Sequence, residues 1–225
     1  MLVGCGRSER AWREDLRAAD PFVRALGAFG LAADAPGRAD AAVPVLLETV
    51  DRVELGLAPE ARRVLEGLAP VVHQALLDEL FADEFMTNDR RQAVVSALGA
   101  AGAAAVDPVL AALRGRGRSA AGDLGDVLLT IGAPAAPSVA AMATDEPDPA
   151  LRAFALFLVG ELGARAQFAG AHDVLSAALD ADDARVRQMA ATALARLAAA
   201  RAEGADTSGS PASQARPGTP SGGAR

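Results

Sequence analysis

Lysine and tyrosine are both absent from the 225 residues, and cysteine and tryptophan occur once each. Without lysine there is no Schiff-base chemistry and no ammonium group to cradle a phosphate, and all 22 basic residues are arginine. A single cysteine, Cys5, excludes an intrachain disulfide and a multi-cysteine metal cluster. β-Branched residues are few, with Ile131 the sole isoleucine, which argues against sheet. No segment stays apolar over the roughly 18 residues that a membrane span requires. Positive charge is in deficit, the net charge being −7, so no global field attracts phosphate backbones or anionic lipid, and no nucleic-acid partner is expected.

What is abundant is alanine, about a quarter of the chain, within a sequence that is 51% hydrophobic. Alanine at that density favours helix and lets helix axes approach closely, so the ordered part reads as all-α. One short grammar recurs: Asp20-Pro21-Phe22-Val23-Arg24, Asp148-Pro149-Ala150-Leu151-Arg152 and Asp183-Ala184-Arg185-Val186-Arg187 each place an aspartate before a helix that carries an arginine in its first turn. Self-similarity at a period of roughly 30 to 40 residues signals stacked helical hairpins.

The breaks divide the chain into pairs of helices. The expected pairs are 20–33 with 40–52, 59–68 with 70–81, 88–101 with 103–113, 119–131 with 134–143, and 149–162 with 169–179, followed by a last helix over 182–202. Pro59 and Pro70 would open the two helices of the second pair, and Asn88 would cap the third. The run Arg114-Gly115-Arg116-Gly117-Arg118 reads as a flexible loop between pairs. Asp180, Asp182 and Asp183 read as helix caps, since the segment lacks the turn glycine and terminal glutamate of a calcium loop.

The D-x-x-[VL]-R signature, a Leu-Gly near the end of the first helix, and a second helix such as Val106-Asp107-Pro108-Val109-Leu110-Ala111-Ala112-Leu113 together resemble HEAT repeats, in particular the short bacterial HEAT-like type. The resemblance spans residues 20–202. It implies a right-handed α-solenoid of about five to six helical hairpins, an armadillo-type superhelix whose second helices line a concave face. The second unit departs from the pattern in having Arg62-Arg63 without a preceding aspartate, and the fourth has Gly122-Asp123-Leu124-Gly125-Asp126 where an arginine belongs.

Aligning the second helices by their leucines puts Leu113, Leu80, Val50 and Leu179 in one column. Val109, Leu76, Leu46 and Leu175 form the next, and Val106, Val43, His73 and His172 the third. Both histidines thus share a column with valines, which predicts packing rather than chemistry. The positions facing the groove are then Glu48, Gln74, Asp78, Asp107 and Asp173, with Arg114 at its lower edge. Acids outnumber bases there, so the face suits a basic or polar segment of a partner protein.

No nucleophile and base are paired in the sequence, so no catalytic, cofactor-binding or metal-binding residue is expected. Two enzyme classes built on similar repeats mark the alternatives. HEAT-like alkylpurine DNA glycosylases would need a basic, aromatic-bearing groove, whereas a bilin-lyase-like role in cofactor attachment is compatible with an acidic helical array.

The ends differ from the middle. Residues 1–19 contain Leu2-Val3-Gly4-Cys5, which resembles the lipobox of bacterial lipoproteins, where the cysteine carries the lipid. Only four residues precede Cys5, too few for a signal peptide, so the chain as written reads as cytoplasmic. Translation from upstream of Met1 would instead make it an envelope lipoprotein, associated with the membrane through Cys5. Residues 203–225 hold Gly, Ser, Pro and Thr with no large apolar residue, a composition that predicts a disordered tail.

Overall fold

The computed structural model describes residues 7–82 and 86–208. Within them the chain is all-helical, with eleven α-helices and no strand. These are α1 (Glu9–Asp15), α2 (Pro21–Asp34), α3 (Val43–Asp51), α4 (Ala58–Ala82), α5 (Asn88–Ala100), α6 (Ala103–Arg116), α7 (Ala121–Ile131), α8 (Ala136–Asp145), α9 (Pro149–Ala164), α10 (Ala171–Ala177) and α11 (Ala184–Ser208).

The recurring aspartates do what their spacing requires. Asp20 accepts from the backbone N–H of Phe22 and Asp148 from that of Ala150, both at 2.8 Å, while Asp183 accepts from Arg185 and Val186 at 2.8 and 3.2 Å. Each thereby satisfies amides that a helix start leaves unpaired. At α5 the cap is Thr87, accepting from Arg90 N, rather than Asn88, which is already the first helical residue. Gly102 and Gly132 make the tight turns after α5 and α7 with nearly the same backbone, φ/ψ 58°/−133° and 73°/−131°. That region of backbone space admits little but glycine.

Principal packing runs between helices close in chain order: α1 on α2, α3 on α4 and α5, α4 on α5 and α6, α5 on α7, α8 on α9, and α9 on α11. One continuous core extends from Trp12 to Leu197. Small residues set the approach of alternate helices. A Cβ at Gly99 of α5 would sit 2.3 Å from Thr130 Cγ2 of α7, one at Gly125 of α7 would sit 2.7 Å from Phe154 Cζ of α9, and one at Gly160 of α9 would sit 2.8 Å from Ala193 Cβ of α11.

Several boundaries differ from those the sequence predicts. The body begins before Asp20, because α1 packs on α2 and buries Trp12, whose Nε1 donates to Asp34 Oδ2 at 2.7 Å. The second pair is joined without a loop: α4 consists of two helical stretches that meet at a kink, where Val72 departs from helical geometry at φ −116°, ψ 16°, so the break falls two residues after Pro70 rather than before it. The arginine-glycine run is not a free loop. Helix α6 continues through Arg116, residues 117–120 form a 3₁₀ turn, Arg114 pairs with Glu146, and the Arg116 guanidinium stacks 3.9 Å from the Phe81 ring centroid. At the C-terminal end α11 runs to Ser208, so the segment expected to be disordered from Glu203 starts as helix. Residues 209–225 and Cys5 lie outside the described residues.

The histidine column is also displaced. Val43 and Val106 are buried as expected, but Val72 and Ala171 take the equivalent buried positions in α4 and α10, leaving His73 half-buried and His172 exposed. In α4 the bend at Val72 shifts the register; α10 begins at Ala171, so His172 sits in its first turn. The hydrogen-bonding partners of both rings are local. His73 Nδ1 lies 3.3 Å from Pro70 O and His172 Nδ1 3.4 Å from Ser176 Oγ. Leu179 is 40% exposed, because residues 178–180 are 3₁₀ and the tighter winding rotates its side chain off the apolar stripe.

Candidate partner-binding surface

The second half of α4 lies beside α6 and leaves a cleft of about 340 Å³. Gln74, Leu77, Asp78 and Phe81 form one wall, and Pro108, Ala111, Ala112 and Arg116 the other. Gln74 Nε2 donates to Asp78 Oδ1 at 3.0 Å, one helical turn away, so the two exposed side chains present a preformed amide and carboxylate pair. Asp107 is exposed next to Pro108, and neither Asp78 nor Asp107 has an arginine partner among the described residues. Arg116 closes one end by covering the Phe81 ring.

The other predicted groove residues are placed differently. Glu48 Oε1 accepts from both Arg24 Nη2 and Arg52 Nε, so this acid is already neutralised. Burial alone would raise its pKa, but the two arginine hydrogen bonds outweigh that and hold the carboxyl below its ordinary value. Arg114 Nε donates to Glu146 Oε2 at 2.9 Å, and Glu146 is only 7% exposed, so the arginine serves to compensate a buried carboxylate. Asp173 stands on α10, fully in solvent, with His172 Nδ1 3.7 Å away. The structure thus brings Gln74 and Asp78 together on one cleft, with Asp107 next to one of its lining residues, and leaves Glu48, Arg114 and Asp173 outside it.

A larger groove, about 460 Å³, lies where the N-terminal halves of α7, α9 and α11 meet. Ala121, Ala150 and Ala153 line it with small side chains, Phe154, Phe157 and Met189 with large apolar ones, and Arg185, Gln188 and Thr192 with polar groups. The two phenylalanine rings lie 6.1 Å apart and are both half-buried. Sequence reading missed this groove because its walls come from three helices whose stacking no local pattern reveals. The usable signal was Phe154 and Phe157 within an otherwise aliphatic helix.

Among the described residues no group of three His, Cys, Asp or Glu side chains could hold a metal ion. No single described helix is long and apolar enough to cross a membrane; residues 121–131 and 133–145 meet that length and composition only as a pair bent by 110°. Their apolar side chains Leu124, Val127, Leu128, Val139 and Met142 are core residues.

No family model matches the chain, and no curated protein matches it. Among solved structures, the crystal structure of an engineered protein aligns at 17% identity and a TM-score of 0.33, covering 87% of this chain and 98% of that one. A likeness this loose carries no argument about fold or function.

Proposed function

We propose that the chain is a HEAT-like α-solenoid acting as a non-catalytic scaffold, which holds a basic or polar segment of a partner protein along its second helices. The observation that carries this reading is the α4–α6 cleft, where Gln74 and Asp78 are paired with each other, Asp107 adjoins the lining residue Pro108, and neither acid has an arginine partner among the described residues. Of the other carboxylates on the predicted face, Glu48 is held by Arg24 and Arg52, and Asp173 stands by itself in solvent on α10. The cleft is therefore where acidic groups available to an incoming cation lie next to a concave surface. Packing between helices near in chain order, and the matching glycine turns at Gly102 and Gly132, support the reading as stacked hairpins.

Affinity capture with the full chain, run beside an Asp78→Arg/Asp107→Arg variant, tests the proposal. A protein retained by the first and lost from the second, with retention weakening as salt rises, supports the scaffold and locates its site. Retention unchanged in the variant removes the cleft from the account.

A further inference from the structure

We infer that the chain associates head to tail with a second copy of itself, Phe22 and Leu26 of one molecule seating in the groove formed by α7, α9 and α11 of the next. Phe22 and Leu26 are 44% and 43% exposed, and they stand one turn apart on α2, so they form a single apolar knob. Adjoining apolar side chains left in solvent lower their free energy when a partner covers them. The groove is the complementary shape: about 460 Å³, floored by alanines and walled by Phe154, Phe157 and Met189. An aromatic ring entering it meets two more rings and a thioether, contacts that aromatic and methionine side chains favour.

The charges agree with the shapes. Asp20 stands two residues before Phe22 at the start of α2, while Arg24 is turned away to the Ala18 and Ala19 carbonyls and to Glu48. Beside the knob the Asp20 carboxylate is exposed, one oxygen capping Phe22 N and the other open to a partner. The groove rim carries Arg185, whose side chain has no partner among the described residues. Arg185 is placed to meet the Asp20 carboxylate of an incoming molecule.

Knob and groove are different surfaces on one chain, so the contact is heterologous: it repeats without closing unless the rotation happens to form a ring. The area involved is small, so association is weak, becoming evident at about 0.1–1 mM.

Sedimentation velocity over a concentration series tests this with three chains. The wild type shows a weight-average mass that rises with concentration. Phe22→Asp/Leu26→Asp, which keeps its groove, and Gln188→Glu/Met189→Glu, which keeps its knob, each remain monomeric, with association weakened about tenfold or more. Mixed together, the two variants form a 1:1 complex that grows no further, because one supplies the only intact knob and the other the only intact groove. Circular dichroism checks that each variant keeps its helix content, and Thr192→Glu, at an exposed groove position, replaces the groove variant if it does not. A wild type that stays monomeric throughout overturns the inference and leaves the groove to a segment of some other protein. Variants that still self-associate, or a mixture that forms no complex, overturn it as well. None of these residues lines the α4–α6 cleft, so failure here leaves the proposed scaffold role intact.

Discussion

Arg24 and Arg187, near opposite ends of the chain, make the same pair of hydrogen bonds. Each donates from Nη1 to the two carbonyls immediately before the aspartate that caps its own helix: Ala18 and Ala19 for Arg24, at 2.9 and 3.0 Å, Ala181 and Asp182 for Arg187, at 2.6 and 2.7 Å. The aspartate satisfies amides at the helix start and the arginine satisfies carbonyls of the incoming turn, so five residues close both sides of one connection.

Replacing Asp183 by alanine is expected to lower stability by about 1 kcal/mol, the usual effect of losing a capping side chain. Asp183→Asn, which keeps an acceptor oxygen, loses much less. Urea denaturation of the two variants followed by circular dichroism separates the outcomes; equal losses would mean that the side-chain oxygen is not what caps α11.

Gly30 lies against the indole of Trp12, where an added Cβ would come within 2.4–2.5 Å of ring atoms. Gly30→Ala therefore displaces Trp12, costing about 1–3 kcal/mol through overpacking. Trp12 is the sole tryptophan, so its emission reports directly on α1: a red shift with helix content preserved is the expected result. An unshifted spectrum with unchanged stability would show that α1 adjusts freely.

Glu48 is more acidic in the folded chain than its ordinary value of 4.5, burial opposing and the Arg24 and Arg52 hydrogen bonds prevailing. A depressed folded pKa means that the stabilisation is fully present above 4.5 and is lost as pH falls through the lower folded value. Glu48→Gln should accordingly be less stable than wild type at neutral pH, with the difference narrowing in acid. Urea midpoints of both proteins across that range check it, and a gap that stays constant with pH would show that the charge contributes nothing.

Arg114→Ala leaves the Glu146 carboxylate buried without its partner and should cost about 2–4 kcal/mol. Adding Glu146→Gln to the same chain should restore part of the loss, because a neutral amide tolerates burial better than a lone charge. Thermal unfolding of the single and double variants tests the coupling; additive losses would mean that the two side chains act independently.

How much of this was legible from the sequence depends on the range of the interaction involved. Capping acts across three or four residues, so Asp20, Asp148 and Asp183 could be read directly, and with them the starts of α2, α9 and α11. Register within the second helices was less secure: the bend at Val72 and the late start of α10 moved His73 and His172 out of the buried column, and neither effect leaves a periodic trace. The tethered state of Arg114 and Arg116 was out of reach for another reason, since it depends on Glu146 and Phe81, each more than 30 positions away. Among the groove residues, Gln74 and Asp78 share a helix and were found together, whereas Glu48 was read as open acid although Arg52 stands four positions on; only the second partner, Arg24, comes from a different helix. The wall of Phe154, Phe157 and Met189 required knowing that α7, α9 and α11 meet.

The glycine notches between α5 and α7, α7 and α9, and α9 and α11 receive three different occupants: a threonine methyl at Gly99, a phenyl ring at Gly125 and an alanine at Gly160. Each junction is cut for its own neighbour. Units of this chain are consequently not exchangeable parts: moving α9 next to α5 would bring Phe154 to a notch shaped for a methyl group, and a duplicated unit would meet a seat of the wrong depth. Lengthening the array by copying a unit would therefore require recutting one glycine contact for every junction added.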